Sequence, residues 1–151
     1  MHAVDDPFNL ARFVKAQEQH HDQALRELQA GSKRSHWIWY VLPQLRGLGT
    51  SELSKYYGIT GLQEAQAYLQ HRLLGARLLE CVRALNGLHG LNATQILGPV
   101  DAMKLQSCLT LFSLAADEPV IFVQALQKYF AGEEDLRTID LLAAQQRTRS
   151  P

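Results

Sequence analysis

The sequence has no excess of charge of either sign. It carries 15 Lys and Arg residues against 15 Asp and Glu residues, and its isoelectric point lies near 7.0. Proteins that bind nucleic acid through its phosphates need a surplus of basic residues. DNA is therefore not expected as the main partner.

Long apolar runs are also missing. The uncharged stretch 105–116 is too short to cross a bilayer, which takes about 20 apolar residues. The N-terminal sequence MHAVDDPFNL carries acidic residues, where a secretory signal has basic residues followed by an apolar run. These features predict a cytoplasmic protein without a membrane partner.

Cysteine is scarce, and the motifs of metal and nucleophile sites do not occur. Cys81 and Cys108 both fall in apolar helical patterns, so we expect small buried thiols and no disulfide. The six histidines show neither the H-E-x-x-H pattern nor the Cys/His spacing of a zinc site. Phosphate-loop, dinucleotide and G-x-S-x-G motifs are not found. The sequence thus assigns no metal, no cofactor and no catalytic residue.

Helical periodicity dominates what is present. Apolar residues recur every three or four positions, no segment alternates with a period of two, and 151 residues suffice for one domain with its own core. We predict an all-α fold, a single compact domain over residues 1–151 with a core from about 6 to 146 and about seven helices. Long helices are expected after Pro7, before Gly87, after Pro99 and after Pro119, and shorter ones at 52–57, 62–71 and 136–146.

The segment SKRSHWIWYVLPQLRGLGTS, residues 32–51, differs from this aliphatic background. It contains both tryptophans of the chain and three basic residues with no acidic residue among them. We predict a short helix over 36–42 that Pro43 ends, although WIWYVL is also short enough for a strand. The segment combines aromatic rings with positive charge.

A glycine-containing turn follows the aromatic residues. Gly47 and Gly49 permit positive φ, and Thr50 or Ser51 is predicted to cap the next helix. Such a turn before a helix N-terminus presents free backbone N–H groups, which suit a phosphate or carboxylate. The ordinary alternative is a core helix followed by a common chain turn.

Three polar residues fall on otherwise apolar helix faces. Gln17 and His21 lie on the apolar stripe of the first helix, and Lys104 begins that of the helix after Pro99. A buried polar group needs a partner, so each can belong to a binding site. Alternatively, His21 is a core histidine with its hydrogen bonds satisfied, and Lys104 extends its ammonium group to solvent.

Four segments, taken in order, resemble a known family. They are DPFNLARFVKAQ, ALRELQAGSKRSHWIWYVLPQLRGLGTS, EAQAYLQHRLLGARL and DAMKLQSCLTLF. They are similar to a bacterial domain-of-unknown-function family, number 1810, whose members are often labelled calpastatin. The resemblance spans about 6–142 and implies an all-helical fold and no particular activity. A calpain inhibitor would be disordered and repetitive, so that label does not fit this periodic sequence.

The resemblance also shows two departures. Arg72 stands where the family has proline, and Gly61 stands where a serine cap is usual. Both positions are expected at helix ends, outside any candidate site.

Two functions of different classes remain open. The first is a pocket that binds, and could hydrolyse, a small phosphorylated aromatic ligand such as a nucleotide or an ADP-ribose derivative. The second is a protein-interaction or homodimerisation module with the aromatic segment exposed. The candidate ligand-binding residues of the first hypothesis are Gln17, His21, Lys33, His36, Trp37, Trp39, Tyr40, Gln44, Arg46, Gly47, Gly49, Ser51 and Lys104. Within this set, His36, Gln44 or Lys104 would perform any acid–base step.

Two structural expectations follow from the pocket hypothesis. Trp37 and Trp39 lie about 200° apart around a helix, so one should face the core and the other a cleft. The Lys104 ammonium group should reach a cavity shared with the 47–51 turn. An ion pair between Lys104 and Asp101, one helical turn earlier, would instead be a purely structural explanation for this lysine.

Overall fold

Nine α-helices lie within residues 5–149, the part of the chain that the computed structural model describes. No β-strand occurs in this range, so the predicted all-α fold is confirmed for it, whereas the expected number of about seven helices is too low. Residues 1–4, 150 and 151 of the predicted domain lie outside the described range. The helices are α1 (Ala11–Ala30), α2 (Ile38–Val41), α3 (Glu52–Tyr57), α4 (Leu62–Gln70), α5 (Arg72–Asn86), α6 (Ala93–Leu97), α7 (Pro99–Ala115), α8 (Val120–Phe130) and α9 (Leu136–Arg149).

Most helix ends lie close to the predicted positions. α3 spans the predicted residues 52–57, while α2 is shorter than the predicted 36–42 and is a helix, not a strand. α1 starts later than predicted, because Asn9 has φ +53°, in the left-handed region that interrupts a right-handed helix. The Asp6 carboxylate accepts the backbone N–H groups of Leu10 and Ala11 from outside the helix. Arg72 opens α5 and Gly61 precedes α4, so both departures from the family pattern lie at helix ends.

α6 is a helix that the apolar pattern does not reveal. It has five residues, too few for a periodic stripe. Its start is fixed by a capping box, in which the Asn92 side chain accepts the Gln95 N–H group and the Gln95 side chain accepts the Asn92 N–H group. The Asn92 and Gln95 spacing was therefore the available sequence signal.

The core is arranged around α7. This helix buries residues on all sides, among them Leu105, Leu109 and Phe112, and it contacts α4, α6, α8 and α9. Ring contacts run from Phe13 on α1 to Tyr68 on α4, then to Phe112 on α7, with centroids 5.1 and 5.4 Å apart. No helix within residues 5–149 is long and apolar enough to cross a membrane.

Both cysteines are part of this core. Cys81 and Cys108 are both buried, as expected from their place in the apolar helical pattern, and the structure has no bond between them. Burial raises the pKa of Cys81 to about 12 and also raises that of Cys108. Neither thiol has the exposure or the lowered pKa of a reactive cysteine.

A buried ion pair joins the start of α1 to α4. Arg12 Nη2 lies 2.8 Å from Glu64 Oε2, and the side chains are 7% and 1% exposed. The other carboxylate oxygen of Glu64 accepts two hydrogen bonds from Thr60. The remaining guanidinium donors of Arg12 bond to the backbone carbonyl groups of Phe8, Asn9, Tyr56 and Gly58. The pair is fully hydrogen-bonded, as a buried pair must be to stabilise a fold.

Glu27 organises the segment between α1 and α2. Its carboxylate accepts hydrogen bonds from the backbone N–H groups of Arg34 and Ser35, from the hydroxyl of Ser35, and from the side chains of Gln23 and Trp37. Burial alone would raise the pKa of Glu27, but these hydrogen bonds lower it to about 2. The carboxylate therefore fixes the path of the chain into the aromatic segment.

Candidate functional site

The chain after α2 is held by a short backbone pairing. Pro43 cannot continue the helix, and the next residues run alongside Ile59. The Ile59 N–H group donates to the carbonyl of Gln44 at 2.9 Å, and the Arg46 N–H group donates to the carbonyl of Ile59 at 2.8 Å. These two hydrogen bonds fix the position of Gln44 relative to the core.

A cavity of about 190 Å³ lies beside this pairing, between α2, the 44–49 turn, α7 and the start of α9. We call it the Trp39 cavity. It brings together residues separated by nearly one hundred positions in the sequence. Its walls are formed by Trp39, Gln44, Leu48, Gly49, Val100, Met103, Lys104, Gln106, Ser107, Asp135 and Arg137.

Lys104 contacts both an aromatic ring and a carboxylate. Its Nζ atom lies 4.0 Å from the centroid of the Trp39 ring and 3.3 Å from Asp101 Oδ1. The other oxygen of Asp101 lies 2.9 Å from Nζ of Lys33. Lys104 therefore shares the cavity with the turn, as the pocket hypothesis expects, and also makes the structural ion pair with Asp101. Because Asp101 serves two lysines, it neutralises only one of their two charges.

Two more charged residues line the cavity at the start of α9. Arg137 Nη2 donates to the backbone carbonyl of Leu48 at 2.6 Å, which ties α9 to the turn. Asp135 Oδ2 accepts hydrogen bonds from the Ser107 hydroxyl and from the N–H group and hydroxyl of Thr138, so it acts as the cap of α9. Lys104 and Arg137 outnumber this single acid among the wall residues, which favours an anionic ligand.

Gln44 is the most unusual of the wall residues. It is 8% exposed, yet within residues 5–149 its side-chain amide makes no hydrogen bond. The fully enclosed side-chain atoms without a partner in this range are His21 Nδ1 and Asn86 Oδ1, so the Gln44 amide keeps contact with solvent. Because Gln44 lines the cavity, a ligand bound there can replace the water at its amide.

The two glycines of the turn have different reasons to be glycine. Gly47 has φ +104°, in the left-handed region that the absence of a side chain permits. Gly49 does not have positive φ. A Cβ atom on Gly49 would instead lie 3.1 Å from Cβ and Oγ of Ser54 and 3.8 Å from Cη2 of Trp39. Gly49 thus allows the turn to approach α3 and the cavity wall.

The two tryptophans occupy different environments, as predicted. Trp37 is 1% exposed in the core and donates from Nε1 to Glu27 at 2.9 Å. Trp39 is half-buried and lines the cavity. The Nζ atom of Lys33 lies 5.1 Å from the centroid of the Trp37 ring and also pairs with Asp101 on α7. Of this group only Trp39 forms part of the cavity wall.

Gln17 and Tyr40 belong to a buried network below α2. Gln17 is 1% exposed and donates from Nε2 to the Tyr40 carbonyl at 2.6 Å and to the Tyr68 hydroxyl at 2.9 Å. The Tyr40 hydroxyl bonds to His20 and to the His36 carbonyl, and burial, followed by the neighbouring Tyr57, raises the pKa of Tyr40. These two candidates have structural partners and lie outside the cavity wall.

The remaining candidates are dispersed. His21 is buried against Glu80 on α5, at a different surface cleft, and His36 is exposed. Arg46 lines a cleft beside Arg12. Ser51 caps α3 by accepting the Ser54 N–H group at 3.1 Å, as the sequence predicts. The structure brings Trp39, Gln44, Gly49 and Lys104 together, and it does not bring these other residues to the same cavity.

Several wall residues were missed by sequence reasoning. Asp135 precedes a predicted helix, so its capping role could have been recognised from its position. Arg137, Gln106 and Ser107 carry no local signal, because only the packing of α9 on α7 places them beside Trp39. The cavity is thus a product of tertiary structure.

Comparisons with known proteins agree with the observed architecture. A solved structure, the crystal structure of the conserved hypothetical protein Rv1873 from Mycobacterium tuberculosis, is 54% identical, with a TM-score of 0.90. The match covers 91% of this chain and 99% of that one. No curated protein matches the sequence. The family model described as protein of unknown function (DUF1810) matches residues 7–142. By this match over most of its length, the chain belongs to the DUF1810 family of proteins of unknown function.

Proposed function

We propose that the Trp39 cavity binds the anionic group and part of the planar group of a small phosphorylated aromatic metabolite, such as a nucleotide or an ADP-ribose derivative. The observation that carries this proposal is the convergence of Trp39, Lys104 and Arg137 from α2, α7 and α9 on one concave site. An aromatic wall supports a planar ring, and the cations attract a phosphate or carboxylate. The surplus positive charge gives an anion a favourable place to bind.

The size of the cavity limits the part of the ligand that it can enclose. Pockets that enclose a drug-sized molecule typically measure about 300–1,000 Å³, and a cavity of about 150 Å³ holds benzene. At about 190 Å³, the Trp39 cavity has room for one planar group or one phosphate-bearing fragment. The rest of the ligand would extend over Val100 and Met103, each 65% exposed at the rim.

The proposal is one of binding, without a chemical step. The carboxylate in the cavity wall, Asp135, already accepts three hydrogen bonds that hold α9. His36, considered above as an acid–base group, is exposed and outside the wall. Lys104 shares Asp101 with Lys33, so the positive charge of Lys104 is only partly balanced. This charge suits Lys104 to binding an anion.

The direct test is a thermal-shift screen with nucleotides, sugar phosphates and ADP-ribose on the wild-type protein and on Lys104→Met. A ligand at 100 times its dissociation constant stabilises the folded state by about 2.7 kcal/mol, which is easily measured. We expect at least one phosphorylated ligand to stabilise the wild type and to lose this effect in Lys104→Met. Lys128→Met, an exposed lysine on α8, is the matched control. Equal ligand effects in all three proteins would contradict the proposal.

The exposed rim residues favour protein association as a second candidate function. Val100 and Met103 lie one turn apart on α7, and Leu136 at the start of α9 is 71% exposed. Exposed apolar side chains near one another are a common feature of interaction surfaces. Light scattering after size-exclusion chromatography tests this candidate. A wild-type dimer that becomes a monomer in Met103→Glu would support it. A monomeric wild type would exclude homodimerisation as the function.

A further inference from the structure

We infer that the ligand of the Trp39 cavity presents a hydrogen-bond donor and an acceptor side by side to the Gln44 amide, as a nucleobase edge or a carboxamide does. This inference rests on the proposed function and specifies the planar group. It starts from the free amide of Gln44 in a cavity whose other polar residues are largely engaged.

The fold elsewhere satisfies a buried glutamine completely. Gln17 is 1% exposed and uses its Nε2 group for two hydrogen bonds, while its Oε1 atom accepts one from Arg77 at 3.4 Å. Gln44 is 8% exposed and makes no side-chain hydrogen bond among the described residues, and its amide atoms are not fully enclosed. Its amide is therefore open to a partner from outside the chain, either water or a ligand in the Trp39 cavity.

The chemistry of an amide restricts what that partner can be. The Gln44 side chain offers one acceptor oxygen and one NH₂ group in a single plane. An inorganic anion has only acceptors and would leave the oxygen unpaired. Lys104 could donate to that oxygen, but its ammonium group already lies against Trp39 and Asp101. A group with an adjacent donor and acceptor pairs with both ends of the amide at once.

Such pairing is an established mode of base recognition. Glutamine and asparagine amides bond in a bidentate manner to the edge of adenine, and a good pair discriminates against a wrong base by about tenfold to a hundredfold. Uracil and carboxamide groups present donors and acceptors in the same adjacent arrangement. Trp39 supplies an aromatic wall in the same cavity, which fits a flat heterocycle.

The test compares probes with and without such an edge by isothermal titration calorimetry. Adenosine monophosphate and uridine monophosphate carry a base, whereas ribose phosphate carries only the sugar and the anion. We expect the wild type to prefer at least one monophosphate over ribose phosphate by tenfold or more. In Gln44→Leu this preference should disappear, while ribose phosphate binds as it does to the wild type.

Thermal melting of Gln44→Leu and Gln17→Leu distinguishes an amide that binds ligand from an amide that stabilises the fold. Gln44→Leu should melt close to the wild-type temperature, since the amide that it removes makes no hydrogen bond to the described residues. Gln17→Leu should melt lower, because it leaves the Tyr40 carbonyl and the Tyr68 hydroxyl without their partner. A clearly lower melting temperature for Gln44→Leu would overturn the inference, because the amide would then have a structural partner such as a buried water.

The outcomes distinguish this inference from the proposed function beneath it. If ribose phosphate binds as tightly as the monophosphates and Lys104→Met weakens all of them, the cavity binds anions and the role of Gln44 is refuted. If no monophosphate or sugar phosphate binds the wild type, both proposals fail. If Gln44→Leu retains the full preference for a base, another residue recognises the edge of the base and the inference is wrong.

Discussion

The ammonium nitrogen of Lys104 lies 4.0 Å from the centre of the Trp39 ring. This contact joins α7 to α2 across the cavity and orients the charge of the lysine toward the same space as the ring. Asp101 balances the charge of Lys104 only in part, because the same carboxylate also pairs with Lys33. A lysine in this position is suited to binding an anion and contributes little to the core.

The substitution Lys104→Met should therefore separate stability from binding. Removing the lysine gives up one partly exposed ion pair and one cation–π contact, each worth about 0–1 kcal/mol, and Asp101 keeps Lys33. In urea unfolding we expect a loss of at most about 2 kcal/mol. Binding of a phosphorylated ligand should be lost in the same sample. A large loss of stability with unchanged binding would identify Lys104 as structural.

The two tryptophans should respond differently to truncation. Trp37→Ala removes a fully buried ring and the hydrogen bond to Glu27, so we expect it to cost about 3–5 kcal/mol in urea unfolding. Trp39→Ala removes a half-buried ring from the cavity wall and should cost clearly less while abolishing ligand binding. Equal losses of stability for the two variants would contradict the assignment of Trp39 to a site.

The low pKa of Glu27 predicts how the free energy of unfolding depends on pH. Hydrogen bonds lower its pKa from 4.5 to about 2 on folding, against the opposing effect of burial. A carboxyl group with a lower pKa in the folded state stabilises the fold above its unfolded pKa, and this contribution is lost as the pH falls from 4.5 towards 2. Urea unfolding over this range should show a steep decline for the wild type.

The variant Glu27→Gln tests the origin of that decline. It cannot ionise, so its free energy of unfolding should be lower at neutral pH and should change less between pH 4.5 and 2. Glu134→Gln, at an exposed position, is the control and should change stability by less than about 0.5 kcal/mol. An unchanged acid dependence in Glu27→Gln would show that other carboxyl groups cause the decline.

The Arg12–Glu64 pair should be sensitive to the loss of either partner. Glu64→Gln leaves the Arg12 charge buried without a counter-ion, which typically costs about 3–5 kcal/mol. Ligand binding should persist at temperatures where the variant is folded, because the pair lies outside the Trp39 cavity. A loss below about 1 kcal/mol would mean that water reaches the guanidinium group and screens it.

The all-α fold could be predicted because it depends on local patterns. The stripe of α1 and the cap of α3 at Ser51 are visible within a few residues of sequence. The short α6 was missed because its capping box has no apolar stripe beside it. Local signals therefore identify the long helices and miss the shortest one.

The candidate site was predicted only in part, since it combines distant segments. Trp39, Gln44 and Lys104 were among the candidate ligand-binding residues, and the cavity contains all three. Gln17 and Trp37 were candidates as well, but their partners lie within the core. Sequence alone cannot distinguish a polar group that has a partner in the fold from one that lacks it.

The two indole N–H signals in a proton–nitrogen correlation spectrum give the most direct test of the central claim. The chain has two tryptophans, so Trp39 reports on the cavity and Trp37, bonded to Glu27 in the core, is an internal control. On titration with adenosine monophosphate, uridine monophosphate and ADP-ribose, we predict that at least one moves the Trp39 signal with saturation, while the Trp37 signal moves little. A Trp39 signal that stays in place with every one of these ligands at millimolar concentration would contradict the account.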